Sequence, residues 1–412
     1  MDEIPGKKQE KLLNPSIVLF LVSQNLSIFG SSVVAYSIIW YVTLQTSSGT
    51  WMMLVTIASM VPHVLISLYS GVWADRYSRK LLIMASDGFI ALATLGMFIL
   101  FRMGYKHLEL LLVVSVIRAL GSGVQSPAVN AIFPQLVPKE HLTRIQGINQ
   151  SVRSVLMLLS PAVGGVVLSL MDLSWAFMLD VSTAFIAIVI FAFIKVRRIE
   201  RTDGVFSVRK DMAEGLSYTF GNPVLKRLVL YYAFAYFLVT PAAILTPLLV
   251  ERSFGPEIWK LTANEIAWTA GSLVGGLFIA LKGQFQDKVK TIAFALVGFG
   301  IGFTFLGIAK PFALYLAVMG FVGLFMPILA TAETVLIQEI VEPSKMGRVF
   351  SIVDLISSFS LPLGILLYGP LSDLVSIESL LLVSGVLLVL VGFSYYRSNR
   401  LMEAKLILSG QK

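Results

Sequence analysis

Asp87, Arg118, Arg153, Asp180, Glu333 and Asp354 stand inside long apolar stretches of this sequence. An ionisable side chain in the middle of an apolar, membrane-length helix costs about 2.5 to 3.5 kcal/mol, so those that persist face a cavity or a partner. A carboxyl that alternates between an apolar setting and a cationic one binds and releases a proton. Arg118, Asp180, Glu333, Asp87 and Asp354 are therefore the candidates for proton coupling. Arg118 is followed by Gly121 and Gly123, which let a neighbouring helix or a ligand come close. It can hold a carboxylate or tune a proton acceptor, and a structural ion pair is the competing role. Glu339, Arg348 and Arg144, at the ends of apolar stretches, read as inter-helix salt bridges. A second group reads as binding surface. Gln24, Asn25 and Tyr236 combine amides with an aromatic face, which suits a large, partly apolar ligand. Tyr231 and Tyr232, near the start of the Tyr236 stretch, read as part of an interfacial aromatic belt.

Other chemistries are excluded. The chain has no cysteine, and its three histidines, His63, His107 and His141, are too scattered for a metal site. No Gly-x-x-x-x-Gly-Lys-Ser/Thr phosphate loop is present, and no nucleophile, base and acid recur at a recognisable spacing. No enzyme, metal or cofactor is expected.

The elements that position these residues follow from composition. Of the 412 residues 56% are hydrophobic and 14% charged, against about 25% charged in a soluble protein. Apolar blocks long enough to cross a bilayer as helix, roughly 20 residues, recur twelve times. They lie near 16–44, 51–73, 81–101, 109–133, 147–170, 175–194, 225–250, 264–282, 291–309, 313–341, 348–370 and 379–396. The reading is an all-α polytopic membrane protein, expected to act as a monomer. Residues 1–194 form an N-terminal six-helix bundle, 195–224 a basic cytoplasmic linker, and 225–412 a C-terminal six-helix bundle. Residues 1–11 read as a cytoplasmic tail, since no cleavage site precedes an apolar core.

Charge sets the orientation. With the N-terminus inside, 25 of the 32 Lys and Arg fall in cytoplasmic segments and five in outer loops, a bias that places both termini in the cytoplasm. The net charge of +8 is thus turned toward anionic lipid. Spread over seven short segments, it makes no nucleic-acid surface.

The halves resemble each other. Pro127 and Pro327 are 200 residues apart, and Gln135 to Arg144 parallels Gln338 to Arg348. Each of the latter is followed by a helix with a proline and two glycines: Pro161, Gly164 and Gly165, then Pro362, Gly364 and Gly369. A duplicated six-helix unit of this kind holds its substrate near the midplane and rocks to give alternating access.

The run Gly71, Asp75, Arg76, Arg79, Lys80 resembles motif A of the major facilitator superfamily, with Ser78 at the second glycine. Arg118 with Gly121 and Gly123 is similar to the motif B of its proton-driven exporters. Gly147, Pro161, Gly164 and Gly165 match motif C, with Leu156 and Ser160 replacing two glycines. Across the chain, Ser126 to Ala131, Leu136 to Thr143, Ser160 to Val163, Gln338-Glu339 and Gly347 to Ser351 resemble the Mef-type macrolide efflux proteins and their relatives, the enterobactin exporters. The resemblance implies the major facilitator fold, with two pseudo-symmetric six-helix bundles in a bacterial inner membrane. It implies proton-coupled efflux of an amphipathic compound such as a macrolide antibiotic. Siderophore or lysolipid export, and a sensor or scaffold that moves nothing, are the alternatives. Motif A becomes an inner gate under this resemblance, and motif C a hinge.

Overall fold

The computed structural model describes residues 14–137, 141–194, 196, 208–283, 285–342 and 345–398, with the backbone alone at Val72, Asp75, Thr143 and 208–212. The described residues form helices and connecting turns, with no strand. In chain order the helices are α1 (Pro15–Thr46), α2 (Gly49–Arg76), α3 (Arg79–Arg102), α4 (Leu108–Leu136), α5 (Leu142–Leu170), α6 (Leu173–Ala192), α7 (Val208–Gly221), α8 (Pro223–Ile244), α9 (Thr246–Phe254), α10 (Ile258–Lys282), α11 (Lys288–Leu306), α12 (Phe312–Ile340), α13 (Met346–Leu371) and α14 (Ile377–Arg397). Twelve of them, all but α7 and α9, are long and apolar enough to cross a membrane. A segment in hydrocarbon has no water to satisfy its backbone, so helix is the form these apolar runs take.

Polar side chains set several boundaries. Ser78 accepts a hydrogen bond from the Leu81 amide at the start of α3, and Asp287 from that of Lys290 at the start of α11. Asn222 accepts from Val224 and Leu225 at the start of α8, where Pro223 occupies the first turn. Each cap satisfies a donor that the first helical turn leaves open.

Three expectations change. The stretch expected as one helix over 225–250 is broken at Leu245 into α8 and α9. Pro247 has no amide hydrogen to continue the α8 ladder, and in the first turn of α9 it needs none. The helix expected to start at 264 begins at Ile258, which adds two turns. The linker contains α7, whose fourteen residues are too short and polar to register as a span. This helix packs on the start of α13: Glu214 pairs with Arg348 at 2.9 Å, and the Lys345 ammonium sits 4.5 Å from the Tyr218 ring centre.

The described residues fall into two compact units. The first contains the chain up to Ser37 and from Ala58 through α6; the second contains Ile38–Ile57 and the chain from α7 onward. In the first, α3 packs on α4 and α6, and Phe20, Phe133 and Phe191 form an aromatic cluster with centroid distances of 5.4 and 5.9 Å. In the second, α10 lies on α12 and α11 on α14. A Cβ on Gly271 would run into the backbone of Gly320, whereas one on Gly276 would meet nothing within 4 Å. The α10–α12 contact is therefore backbone against backbone, as small residues permit in membranes. Gly271→Val should destabilise the protein by about 1 to 3 kcal/mol through overpacking. Gly276→Val should be neutral, as thermal unfolding of the two detergent-solubilised variants will show.

Candidate functional site

The polar residues of the first unit form a ladder. Asp87 and Thr94 lie two helical turns apart on one face of α3, and Arg118 and Gln125 are spaced likewise on α4. Because the helices are antiparallel, the pairs meet. Gln125 Nε2 donates to Asp87 Oδ1 at 2.5 Å, and Arg118 Nη1 donates to Thr94 Oγ1 at 2.5 Å. Helix α1 supplies a third rail: Ser27 donates to Asp87 Oδ1 at 2.7 Å, and Ser31, one turn on, donates to Asp180 Oδ1 at 3.1 Å. Asp180, from α6, pairs through Oδ2 with Arg118 Nη1. Its side chain is 1% exposed and that of Arg118 12%. The approach of α1 to α6 depends on Gly30, where a Cβ would strike Thr183 and come within 3.0 Å of the Asp180 Cα. Gly121 and Gly123 do the same for neighbouring helices, facing Ile90 and the His63 backbone. The structure thus joins Arg118 to Asp180 and places Asp87 on the same ladder, held by neutral donors and by no cation among the described residues.

A second polar group in this unit is less complete. Asn25 Nδ2 donates to the Leu21 carbonyl at 2.8 Å and to Asn149 Oδ1 at 2.9 Å. Gln24 Nε2, Asn25 Oδ1 and Arg153 Nε are buried without a hydrogen-bond partner among the described residues. Buried polar atoms are rarely left unpaired, so this cluster has capacity for a ligand.

Inside its spans the second unit carries carboxyls with no cation beside them among the described residues. Glu333 on α12 is buried and accepts a hydrogen bond from Tyr236 Oη at 3.4 Å. Its unit's described Lys and Arg side chains lie near helix ends: Lys288 pairs with Glu339 at 2.8 Å, and Arg348 with Glu214. Tyr236 also lines a small apolar cavity of about 100 Å³ with Trp268, Phe299, Phe303, Met326 and Leu329. Asp354 is exposed and makes no hydrogen bond or ion pair among the described residues, and it lies within electrostatic reach of Tyr236. Tyr232 departs from its expected interfacial place: it is 1% exposed, on the α8 face that packs into the core. Tyr231 keeps a polar setting, 2.7 Å from Ser394 Oγ. One carboxyl escaped the sequence reading. Glu265 lies two turns into α10, bonded at 3.3 Å by Asn264, which in turn accepts from Tyr315 at 2.8 Å.

The motif A cations staple helix ends within the first unit. Arg79 donates to the Ala74 carbonyl of α2 at 3.0 Å and to the Ala131 carbonyl of α4 at 2.7 Å. Lys80 donates to the carbonyls of Ala192 and Ile194, at the end of α6, at 2.7 and 2.8 Å. The Ala74, Ala192 and Ile194 carbonyls lie in the last turn of their helices or just past it, where partners run out and the negative end of the helix dipole favours a cation. Arg76 is exposed in the last turn of α2, and Gly71 faces open space. The Asp75 side chain lies outside the described residues. Gly147 also faces open space, and α5 runs unbroken through Pro161, Gly164 and Gly165.

Residues 15–409 match the family model described as transmembrane secretion effector. The chain belongs to this family of major facilitator transporters. It is 29% identical to macrolide efflux protein A of Streptococcus pyogenes over 376 residues, covering 89% of this chain and 92% of that one. It is 22% identical over 395 residues to the staphyloferrin A transporter of Staphylococcus aureus, covering 94% and 97%. Among solved structures it superposes on the nucleoside transporter NupG with a TM-score of 0.73 at 14% identity, covering 93% of this chain and 99% of that one. A bacterial homologue of the lysosomal transporter Spinster gives 0.72 at 14% identity, covering 97% and 99%. The transporter is therefore an all-helical multi-pass membrane protein with the major facilitator fold, and not an enzyme.

Removing one member of the Arg118–Asp180 pair leaves a buried charge uncompensated, which costs about 3 to 5 kcal/mol. Arg118→Met and Asp180→Leu should each lower the thermal midpoint in detergent sharply. The double variant should recover most of the loss.

Proposed function

We propose that this transporter exports a large amphipathic compound carrying a basic nitrogen, macrolides foremost, in exchange for protons. The observation that carries the reading is Glu333: a carboxyl inside a span, without a cation among the described residues, tied through the Tyr236 hydroxyl to an apolar, aromatic cavity. Such a carboxyl can hold either a proton or the cationic group of a substrate, and aromatic faces add attraction for the cation. Occupation by one displaces the other, and that exchange is the coupling. The likeness to macrolide efflux protein A supports the substrate class.

In this reading Arg118 and Asp180 hold the first bundle together and tune Asp87, a second proton site. The two bundles, 1–194 and 225–412, alternate about the linker 195–224. The Gly71–Lys80 loop, with Asp75, gates the cytoplasmic side, and α5 bends at Gly147, Pro161, Gly164 and Gly165. Both termini are cytoplasmic, and the working form is a monomer.

A second reading has its own observation. The unmatched donors of Gln24 and Arg153 suit an anionic substrate, which favours a siderophore and fits the likeness to the staphyloferrin A transporter. Susceptibility and accumulation tests on a sensitive host separate the two. Under the first reading, expression lowers erythromycin accumulation several-fold, and an uncoupler restores it. Glu333→Gln should return accumulation to within twofold of the vector control, whereas Asp354→Asn should leave export intact. Unchanged erythromycin accumulation together with siderophore release would favour the second reading. Arg118→Ala should impair export more than Arg144→Ala.

A further inference from the structure

The turn between α1 and α2 is gripped by residues far along the chain, all within the second unit. Asp373, just past the end of α13, receives four hydrogen bonds from this turn. Its Oδ1 accepts from the Gly49 amide at 2.7 Å. Its Oδ2 accepts from the Thr50 amide at 2.9 Å, the Thr50 hydroxyl at 2.7 Å and the Ser48 hydroxyl at 2.9 Å. Arg252 of α9 completes the site. Its Nη2 lies 3.0 Å from Asp373 Oδ1 and donates to the Ser47 carbonyl at 2.6 Å, while its Nη1 donates to the Ser372 carbonyl at 2.6 Å. Ser47 donates to Glu251 at 2.7 Å and is the one described non-glycine residue with positive φ, at 45°. Gly49 fits because a Cβ there would strike Ser372 and the Gly369 carbonyl.

This is an N-cap supplied in trans. A carboxylate ordinarily caps the helix that follows it, satisfying open amides and the positive end of its dipole. The duplicated half shows the ordinary case. Asp172 stands 201 residues before Asp373, the spacing that also separates Pro161 from Pro362. Asp172 caps its own helix α6 through the Ser174 amide at 3.0 Å. Three more residues in the α13–α14 turn release Asp373 from that duty, and Ser376 caps α14 instead. Helix α10, the counterpart of α2, starts without a side-chain cap. Duplication alone would have kept the two aspartates alike.

We infer that Asp373 is a latch that holds the α1–α2 turn, and with it residues 38–57, in the second unit. Its release opens that end of the transporter. Burial alone would raise the Asp373 pKa, but the hydrogen bonds from Thr50, Gly49 and Ser48 outweigh it and bring it down to about 2. A depressed carboxylate pKa means the latch is fully made above the ordinary value of 3.8 and lost only as pH falls through about 2. The charged groups that face this site are Arg252 and Glu251. The latch is therefore no pH sensor, and what opens it is a change elsewhere in the transporter.

The absence of cysteine makes the test clean. Met52, in the first turn of α2 and 2% exposed, is replaced by cysteine, and its labelling by a hydrophilic maleimide is timed in the full-length, detergent-solubilised transporter, where both ends of the spans are open to the reagent. Asp373→Ala should speed labelling tenfold or more, Thr50→Val less, and Asp373→Glu least. Labelling of Ile83→Cys, buried in the first unit, should stay unchanged in every background. Equal Met52→Cys rates with and without Asp373 would overturn the latch. A parallel rise at Ile83→Cys would also overturn it, showing general loosening instead. Should Asp373→Ala fail to insert, Thr50→Val and Asp373→Asn decide the matter by the same comparison.

Discussion

A charge inside hydrocarbon must find its counter-charge or be given up, and in the first unit that constraint is met by Arg118 and Asp180. The pair fixes more than itself. Asp180 draws α6 toward α1 through Ser31, and Arg118 binds α4 to α3 through Thr94. Gly30 supplies the space that lets α1 come within reach. The second unit leaves the same constraint unmet. Among the described residues the hydrogen-bond partners of Glu333 and Glu265 are neutral, a tyrosine and an asparagine. A paired carboxylate is structural; an unpaired one in the same medium is available for exchange. This difference between the units carries the functional reading.

The spans were legible because length and hydropathy alone decide what crosses a bilayer. Their ends were less so. The eighth span was expected to start at 264, and its true start at Ile258 puts Glu265 two turns deep. The charged members of the ladder stood out in the sequence as costly exceptions. Their neutral partners, Ser27, Ser31, Thr94 and Gln125, did not, since a hydroxyl or amide in an apolar helix is common and its partner lies in another helix. The helix break at Leu245 needed the position of Pro247 relative to the α8 ladder, and Pro241 inside α8 shows that a proline alone does not predict it.

Duplication explains the frame, and departures from it mark where the halves acquired separate work. The basic loop after α2 uses Arg79 and Lys80 to close the carbonyl ends of α2, α4 and α6. Its counterpart after α10 keeps Asp287 as the cap of α11, and there Lys288 pairs with the Glu339 carboxylate of α12 at 2.8 Å. At the other end of these helices, Asp172 remains a local cap while Asp373 reaches across to α2. A sequence offset reveals such pairs, but only the hydrogen bonds show that their roles have parted.

The central claim is that Glu333 exchanges a proton for the cationic group of a substrate. The most direct test is in proteoliposomes holding the purified transporter and a pH-sensitive dye. An imposed erythromycin gradient should drive an opposing proton flux in the unmodified protein. In Glu333→Gln the proton flux and the exchange of radiolabelled erythromycin should fall together, because both depend on the one carboxyl. Proton flux persisting in Glu333→Gln at the unmodified rate would contradict the account.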